Sequence, residues 1–188
     1  MSLSHAVLTS LLEKSSSGYE LARRFDKSIG FFWHATHQQI YRELARMEAA
    51  GWVESCAALD AGNTRKRSYR VLPAGRDELL RWAAEPSAPM DLRDEFTVRL
   101  RADAALGPLG LETELQRRIA QHQDKLQTYR EIEARDFPLG QPQSRNARIQ
   151  HMILKKGMLL EEGSIVWTQE MLAVLSDVRA IAFKSPNP

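Results

Sequence analysis

Several features that point to other classes of protein are scarce in this sequence. Its single cysteine, Cys56, excludes an intramolecular disulfide framework and is typical of a protein in a reducing compartment. No apolar run approaches the roughly 20 residues that a membrane-spanning helix needs. The N-terminal segment is short and lacks the positive charge of a signal peptide. We therefore expect a cytoplasmic protein with no membrane partner.

An excess of charge is also missing, because 26 Lys and Arg residues stand against 24 Asp and Glu residues, a formal net charge of +2. This total does not by itself indicate a nucleic-acid partner, since an evenly mixed surface would give the same value. The basic residues are unevenly placed, however. They concentrate in two stretches of the N-terminal half, Arg23, Arg24 and Lys27 in the first and Arg65, Lys66, Arg67 and Arg70 in the second.

Two helices are predicted at the start of the chain. Apolar residues at helical spacing from Leu3 to Leu12 predict the first. Ser17 and Glu20 have the spacing of a capping box, which predicts a second helix from about Tyr19 to Lys27. The side chains expected to face inward on that helix are Tyr19, Leu21, Ala22 and Phe25.

A third helix is predicted from the N-cap residue Thr36 to Ala50, followed by Gly51 as its left-handed stop. Its apolar stripe is Ile40, Leu44 and Met47. The opposite face is polar, which is also the ordinary pattern of a solvated surface helix. It carries Gln and Arg, which can bond adenine and guanine in the major groove. We predict DNA contacts from this face by Thr36, His37, Gln38, Gln39, Tyr41, Arg42 and Arg46.

A β-hairpin is predicted directly after this helix. Residues Trp52–Ser55 and Ser68–Leu72 alternate as strands, and the polar turn between them ends in three consecutive cations. A basic hairpin tip after a helix-turn-helix is the pattern of a winged helix, whose wing lies on the phosphate backbone or in the minor groove. We predict that the wing contacts DNA through Arg65, Lys66, Arg67 and Arg70.

The run from Ala6 to Trp82 resembles the PadR family of bacterial transcription regulators. The matching pieces are LLEKSSSGYELARRF, GFFWHATHQQIYRELARMEAAGWVES and TRKRSYRVLPAGRDELLRW. The resemblance implies a DNA-binding winged helix. The chain departs from the family pattern at Pro73, commonly Thr, which still suits the first turn of a helix. It also has Thr36–Gln38 where many members have Ser-Pro-Gly, so the base preference of those members does not transfer.

Two long helices are predicted in the C-terminal half, after a connector with Pro86 and Pro89. The first carries a stripe of alternating four-three spacing from Leu115 to Tyr129. The second runs from about Arg145 to Phe183 with the same spacing. An antiparallel hairpin within the chain and a symmetric dimer both produce this pattern. We expect a dimer, because the winged helix offers too little protein to cover both stripes.

The segment from Arg93 to Phe183 resembles the virulence-activator-type C-terminal domain of longer PadR members, which implies a helical dimerisation domain. The predicted fold is therefore mainly α with a small β-hairpin wing, in a winged-helix domain (1–86) and a long-helix, coiled-coil-like dimerisation domain (87–188). The residues predicted to form the dimer are Leu115, Ile119, Leu126, Ile153, Leu160, Trp167, Met171, Val174 and Val178.

The sequence gives little support for a metal site or a reactive thiol. His34 and His37 lack the further ligands of a zinc site, and we predict no metal and no cofactor. Cys56 falls in a predicted strand, where a buried, inert thiol is expected. Trp33 and Trp167 are candidates for a pocket that binds a small aromatic or phenolic effector, as the resemblance suggests, although core packing is the simpler explanation of either tryptophan.

The function predicted from these features is sequence-specific binding of double-stranded operator DNA by a homodimer that regulates transcription, with repression expected. The alternative is a winged helix that serves as a protein-interaction module and has no affinity for DNA. An enzyme is not expected, because the sequence offers no catalytic constellation and no glycine-rich phosphate loop.

Overall fold

The structure, a computed structural model, describes residues 3–26, 29–31, 33–57, 67–87, 93–138 and 143–182. The chain divides into two compact units, Met1–Pro89 and Met90–Pro188. The elements of the first unit are α1 (Leu3–Glu13), β1 (Ser16–Ser17), α2 (Gly18–Asp26), a 3-10 turn (Ile29–Phe31), α3 (His37–Ala49), β2 (Val53–Ala57), β3 (Arg67–Val71) and α4 (Pro73–Ala83). Those of the second are α5 (Glu95–Leu106), α6 (Glu112–Asp136) and α7 (Arg145–Ala182).

Helix α2 begins at the predicted capping box. The Glu20 amide donates to Ser17 Oγ at 3.2 Å, and the Ser17 amide donates to Glu20 Oε2 at 3.1 Å. The prediction that Tyr19 faces inward is wrong, since its side chain is 59% exposed. Gly18 takes the inward position instead, because it lies one helical step nearer to the buried face of Leu21 and Phe25.

The core of the first unit lies where α1, α2 and α3 meet. Most side chains of the apolar stripes predicted from sequence point into it, and its fully buried side chains exclude water from the inner face of α3. Its members are Val7, Leu8, Leu11, Leu21, Ala22, Phe25, Ile29, Ala35, Ile40, Leu44, Met47 and Val53. Trp33 and Trp52 are partly buried and pack against this cluster. The core therefore fixes α3 by one face only.

A three-stranded antiparallel sheet in the order β1-β3-β2 completes the first unit. The two predicted strands are present, shifted slightly along the chain. The short strand Ser16–Ser17, which pairs with Tyr69 and Ser68, was not predicted. The expectation of a buried thiol at Cys56 is wrong, because Cys56 is exposed. Side chains alternate along a strand, and Cys56 lies on the face of β2 opposite the buried Val53.

In the second unit α6 and α7 pack side by side as a hairpin. Both helices were predicted, and α5 was not. Phe96 and Leu100 of α5 form a small core with Leu115 of α6, against which Met171 is packed. Leu126 is also buried. The assignment of Leu115 and Leu126 to a dimer surface is therefore wrong, since the chain's own helices cover both side chains.

The α6–α7 contact also contains a buried carboxylate, Glu161, which is only 6% exposed. Glu161 Oε1 lies 2.7 Å from Lys125 Nζ, and Glu161 Oε2 lies 2.5 Å from His122 Nδ1. Burial by itself would raise the pKa of Glu161, but the bonds from Lys125 and His122 outweigh it and hold that pKa below its ordinary value. A charged cluster therefore fixes the register of the hairpin.

A further set of apolar side chains on α7 is exposed. Most of the apolar stripe that the four-three spacing predicts on α7 belongs to this exposed set. It lies on a different face of the helix from the residues that contact α6. The exposed members are Ile149, Met152, Ile153, Leu159, Leu160, Val166, Trp167 and Val174. The side chain of Val178 lies outside the described residues. None of the helices in the described part of the chain is long and apolar enough to cross a membrane.

Candidate nucleic-acid interface

The N-terminus of α3 is fixed by a second capping box. The Gln39 amide donates to Thr36 Oγ1 at 3.2 Å, and the Thr36 amide donates to Gln39 Oε1 at 2.8 Å. Thr36 and Gln39, which were both predicted to contact DNA, therefore also cap the start of the helix. The helix ends as predicted, with Ala50 as the C-cap and Gly51 at φ 70°. These local signals determine which side chains α3 presents.

His37 is joined to the preceding helix. Its Nε2 lies 2.8 Å from Asp26 Oδ2, and both side chains are about half exposed. Asp26 is the last residue of α2, so this contact links the two helices of the helix-turn-helix. The sequence analysis did not identify Asp26, because its role depends on a turn that brings residues eleven positions apart together.

Arg46, in the last turn of α3, is also engaged. Its guanidinium bonds Glu43 Oε2 at 2.8 Å and lies over the ring of Trp52 at 5.5 Å. A cation held over an aromatic face and paired with a carboxylate on its own helix is partly committed to the fold.

Gln38, Tyr41 and Arg42 are the exposed centre of the predicted face. Within the described ranges, the side chains of Gln38 and Arg42 have no hydrogen-bond or ion-pair partner. Tyr41 closes over Gly18, where an added Cβ would meet its Cε1 at 2.5 Å. The structure therefore brings together two uncommitted polar side chains and a half-exposed aromatic ring on one helix face.

The hairpin is attached to α3 by Glu48. Its Oε1 accepts the Ser55 amide at 3.1 Å and the Ser55 hydroxyl at 2.5 Å. This carboxylate therefore positions β2 against α3, a role that the spacing of charges in the sequence does not show. Arg24, one of the basic residues of the N-terminal half, also has a structural role. Its Nη2 donates to the Ser10 carbonyl at 2.6 Å, which joins α2 to α1.

The predicted wing cations are placed differently from one another. Arg67 begins β3 and is exposed. Arg70 is also exposed, but its guanidinium is paired with Glu54 across the β2–β3 ladder, which raises the pKa of Arg70. Arg65 and Lys66 lie outside the described residues, so their contribution stays a prediction.

Comparison with known proteins decides the family. Residues 7–81 match the Transcriptional regulator PadR-like family, and residues 92–176 match the Virulence activator alpha C-term domain. A probable transcriptional regulator of Mycobacterium tuberculosis is 42% identical over 95% of this chain and 100% of its own. The chain belongs to the PadR-like family.

Two further relatives of this PadR-like regulator have solved structures. The virulence activator AphA of Vibrio cholerae is 31% identical over 94% of this chain and 99% of its own, with a TM-score of 0.79. The negative transcriptional regulator PadR of Bacillus subtilis is 25% identical over 92% of this chain and 97% of its own. Its complex with operator DNA superposes with a TM-score of 0.80 at 23% identity, over 92% and 97% of the two chains. These neighbours confirm the predicted mainly helical winged-helix fold.

The PadR-like regulator is therefore a transcriptional regulator and not an enzyme, as its family and relatives are. Among the residues that the structure describes, no group of His, Cys, Asp or Glu is arranged to hold a metal ion. The two tryptophans predicted to line an effector pocket belong to different units. Trp33 packs against the core of the first, and Trp167 is exposed on α7 of the second. Their joint role stays a prediction.

Proposed function

We propose that this chain is a homodimeric repressor that binds operator DNA through α3 and the β2–β3 wing. The observation that carries the proposal is the state of α3, which is fixed by the core on one face and presents Gln38, Tyr41 and Arg42 to solvent on the other. A recognition helix requires this arrangement, because its base-reading side chains must be free while its backbone is rigid.

Within α3 the side chains divide into two groups. Gln38 and Arg42 are proposed to read base edges, since amide and guanidinium groups form bidentate bonds to adenine and guanine. Thr36, Gln39 and Arg46 hold hydrogen bonds within the protein, so we assign them to the shape of the helix and to contacts with the phosphate backbone. His37 joins them through Asp26.

The wing is proposed to follow the phosphates. Arg67 is exposed at its base, and Arg65 and Lys66 precede it in sequence. Contacts of this kind add affinity on any sequence and make binding salt-dependent. Arg70 contributes less, because its pairing with Glu54 already satisfies part of its charge. Since DNA is the proposed partner, the site of action is the bacterial cytoplasm.

The exposed apolar side chains of α7 support the homodimer. A contiguous apolar surface of this kind is unusual on a monomer and marks an interaction site. Two copies would bury it and would place two recognition helices on half-sites about 34 Å apart along the duplex. The solved complex of Bacillus subtilis PadR with operator DNA supports DNA as the partner of this fold.

Repression and a response to a small effector are proposed from a relative of this chain. The Bacillus subtilis relative is named a negative regulator, and it has been solved with p-coumaric acid, a small phenolic compound. A ligand of that chemistry is proposed for this chain, with Trp33 and Trp167 as candidate contacts. If it regulates, it must change operator affinity, and operator must change its affinity by the same factor. Titration of tryptophan fluorescence with and without operator measures this coupling.

The test of DNA recognition is selection of bound fragments from the genome of origin. We expect a palindromic or pseudo-palindromic sequence to be enriched, and its affinity to fall steeply with salt. A transcription assay on the selected promoter then gives the sign of regulation, which is expected to be negative. Enrichment of no sequence, together with absent salt dependence, would favour the protein-interaction alternative.

A further inference from the structure

The carboxylates of α2, α3 and β2 belong to the part of the molecule that is proposed to face DNA, where negative charge is unfavourable. All but one of them bind an arginine or a backbone amide. These pairs are Glu43 with Arg46, Glu54 with Arg70, Glu20 with the Ser17 amide and Glu48 with the Ser55 amide. Asp26 differs, because its partner in the described part of the chain is the imidazole of His37, which is positive only when protonated.

The hydrogen bond between Asp26 and His37 determines where the imidazole can gain a proton. His37 Nε2 lies 2.8 Å from Asp26 Oδ2. An ionised carboxylate only accepts hydrogen bonds, so the proton of the neutral ring must lie on Nε2. The other nitrogen, Nδ1, then carries a lone pair. A second proton can enter the ring only at Nδ1, and it would turn this atom from an acceptor into a donor.

The surroundings of the pair leave Nδ1 available to a ligand. Within the described residues nothing else bonds to the His37 ring. Arg23, one turn before the end of α2, lies over the ring of Tyr19 at 5.7 Å. Tyr41 lies one turn further along α3, and the exposed His34 precedes that helix. The His37 side chain is 48% exposed and that of its carboxylate partner 50%, so a molecule that docks on this surface can reach both.

We propose that His37 takes up a proton from solvent when the operator binds, and that its Nδ1 then donates to a DNA phosphate while Asp26 holds the ring. This inference rests on the proposed function and specifies how one of its contacts is regulated. In a helix-turn-helix the helix before the recognition helix crosses the DNA backbone, so Asp26 at the end of α2 would approach phosphates.

The charges of the pair explain why the proton is needed. Without it, the Asp26 carboxylate and the Nδ1 lone pair would both be repelled by the phosphate. With it, the pair is neutral as a whole and presents a charged donor to the phosphate oxygen. Binding that takes up a proton becomes tighter as pH falls through the range in which histidine titrates. We therefore expect operator affinity to rise at least about tenfold between about pH 8 and pH 6.

Fluorescence anisotropy with the selected operator, at constant salt, measures this gain. His37→Gln should keep less than about twofold of it, because glutamine does not titrate. His34→Gln is the matched control, an exposed histidine three residues earlier, and should keep the full gain. Equal gains for His37→Gln and the wild type would overturn the inference and leave the proposed function standing. Absence of operator binding by the wild type would overturn both.

Asp26→Asn separates a role in proton uptake from a purely structural bond between α2 and α3. The variant should bind operator more tightly than the wild type at pH 8, because a negative charge near the phosphates is gone. Its gain towards pH 6 should be smaller, because asparagine stabilises the protonated ring less. A loss of affinity at both pH values is the result of a structural role and would contradict the proposal.

Nuclear magnetic resonance of protein labelled with nitrogen-15 in its histidines observes the proton itself. At neutral pH the Nδ1 resonance of His37 should move from the position of an unprotonated nitrogen to that of a protonated one when operator is added. The resonance is assigned by its absence in His37→Gln. An Nδ1 that stays unprotonated in the operator complex would overturn the inference.

Discussion

The two units of this protein bury their apolar side chains to very different degrees. In the first unit Leu8, Phe25 and Ile40 are completely covered, and the apolar residues left exposed there, such as Tyr19 and Leu80, are scattered. In the second unit α7 leaves a row of large apolar side chains exposed while it buries the polar residues Glu161 and Thr168. The first unit thus completes its core alone, and the second does not.

This difference indicates how the two tasks of the protein are divided. A complete core gives α3 a rigid support, which reading of DNA needs and which owes nothing to a partner. The proposed homodimer would bury the exposed apolar surface of α7, and assembly and recognition would then be encoded in separate parts of the chain. Substitutions should therefore separate the two properties.

The largest effect is expected in the core of the first unit. Phe25→Ala should lower the free energy of unfolding of that unit by about 3–5 kcal/mol, through lost burial and the cavity that remains. Leu160→Ala, on the exposed row of α7, should leave the first unit unchanged. Denaturant unfolding measured at two protein concentrations separates them, because only the transition of the second unit should move with concentration. A concentration-dependent transition of the first unit would contradict the comparison.

The next effect concerns assembly. Leu160→Glu with Trp167→Glu places charge on the exposed row and should dissociate the dimer. Operator affinity should then fall at least about a hundredfold, because bivalent binding is lost although α3 is untouched. Light scattering and fluorescence anisotropy measure the two properties on one sample. Gln169→Glu, away from the row, is the control and should keep both. Full operator affinity in a monomeric double variant would refute the division of tasks.

Base reading should respond to smaller changes on α3. Gln38→Ala is expected to cost about 1–3 kcal/mol on the selected operator and much less on random DNA. Arg67→Ala, at the base of the wing, should weaken binding to both and reduce the slope of log affinity against log salt by about one unit. Neither change should alter the dimer. Equal losses on both kinds of DNA for Gln38→Ala would remove Gln38 from base reading.

The smallest effect is a pH dependence confined to the second unit. Because the folded-state pKa of Glu161 lies below its ordinary value of 4.5, its contribution to stability is present above about pH 4.5 and is lost as pH falls through the lowered value. Glu161→Gln should flatten this part of the stability curve. Glu162→Gln, whose partner Arg130 lies at 3.3 Å near the surface, should change it little. The measurement is thermal unfolding followed from about pH 6 down to about pH 3.

Local signals allowed most of the first unit to be predicted from sequence. The N-cap Thr36, the stripe of Ile40 and Leu44 and the stop at Gly51 lie within one short segment, and the structure has α3 where they place it. The strand Ser16–Ser17 escaped prediction because the strand with which it pairs, β3, lies about fifty residues further along the chain. Pairings at such distance leave no periodicity in the sequence.

Prediction was weaker in the second unit for two physical reasons. In α5 the apolar residues Phe96, Val98 and Leu100 alternate as in a strand, which concealed the helix. On α7 the face that meets α6 contains Glu161 and Thr168, whose burial depends on specific hydrogen bonds and not on hydrophobicity. The spacing therefore identified the helix correctly and did not identify the face that α6 covers.

The same limit applies to the candidate interface. Sequence alone placed Gln38 and Arg42 on the exposed face of α3, since helical period decides exposure. It did not separate them from Gln39 and Arg46, whose side chains bond within the protein. Those bonds depend on rotamers and on neighbours such as Glu43, which a pattern of residue types does not specify.

The central claim is that two chains, joined through α7, place two recognition helices on one operator. Native mass spectrometry of the wild-type protein with its selected operator, combined with DNA footprinting of the same complex, tests this most directly. The account predicts a dimer in the free protein and two chains on each duplex, with both half-sites about 34 Å apart protected together. A single chain bound to the operator at full affinity, with one half-site protected, would contradict it.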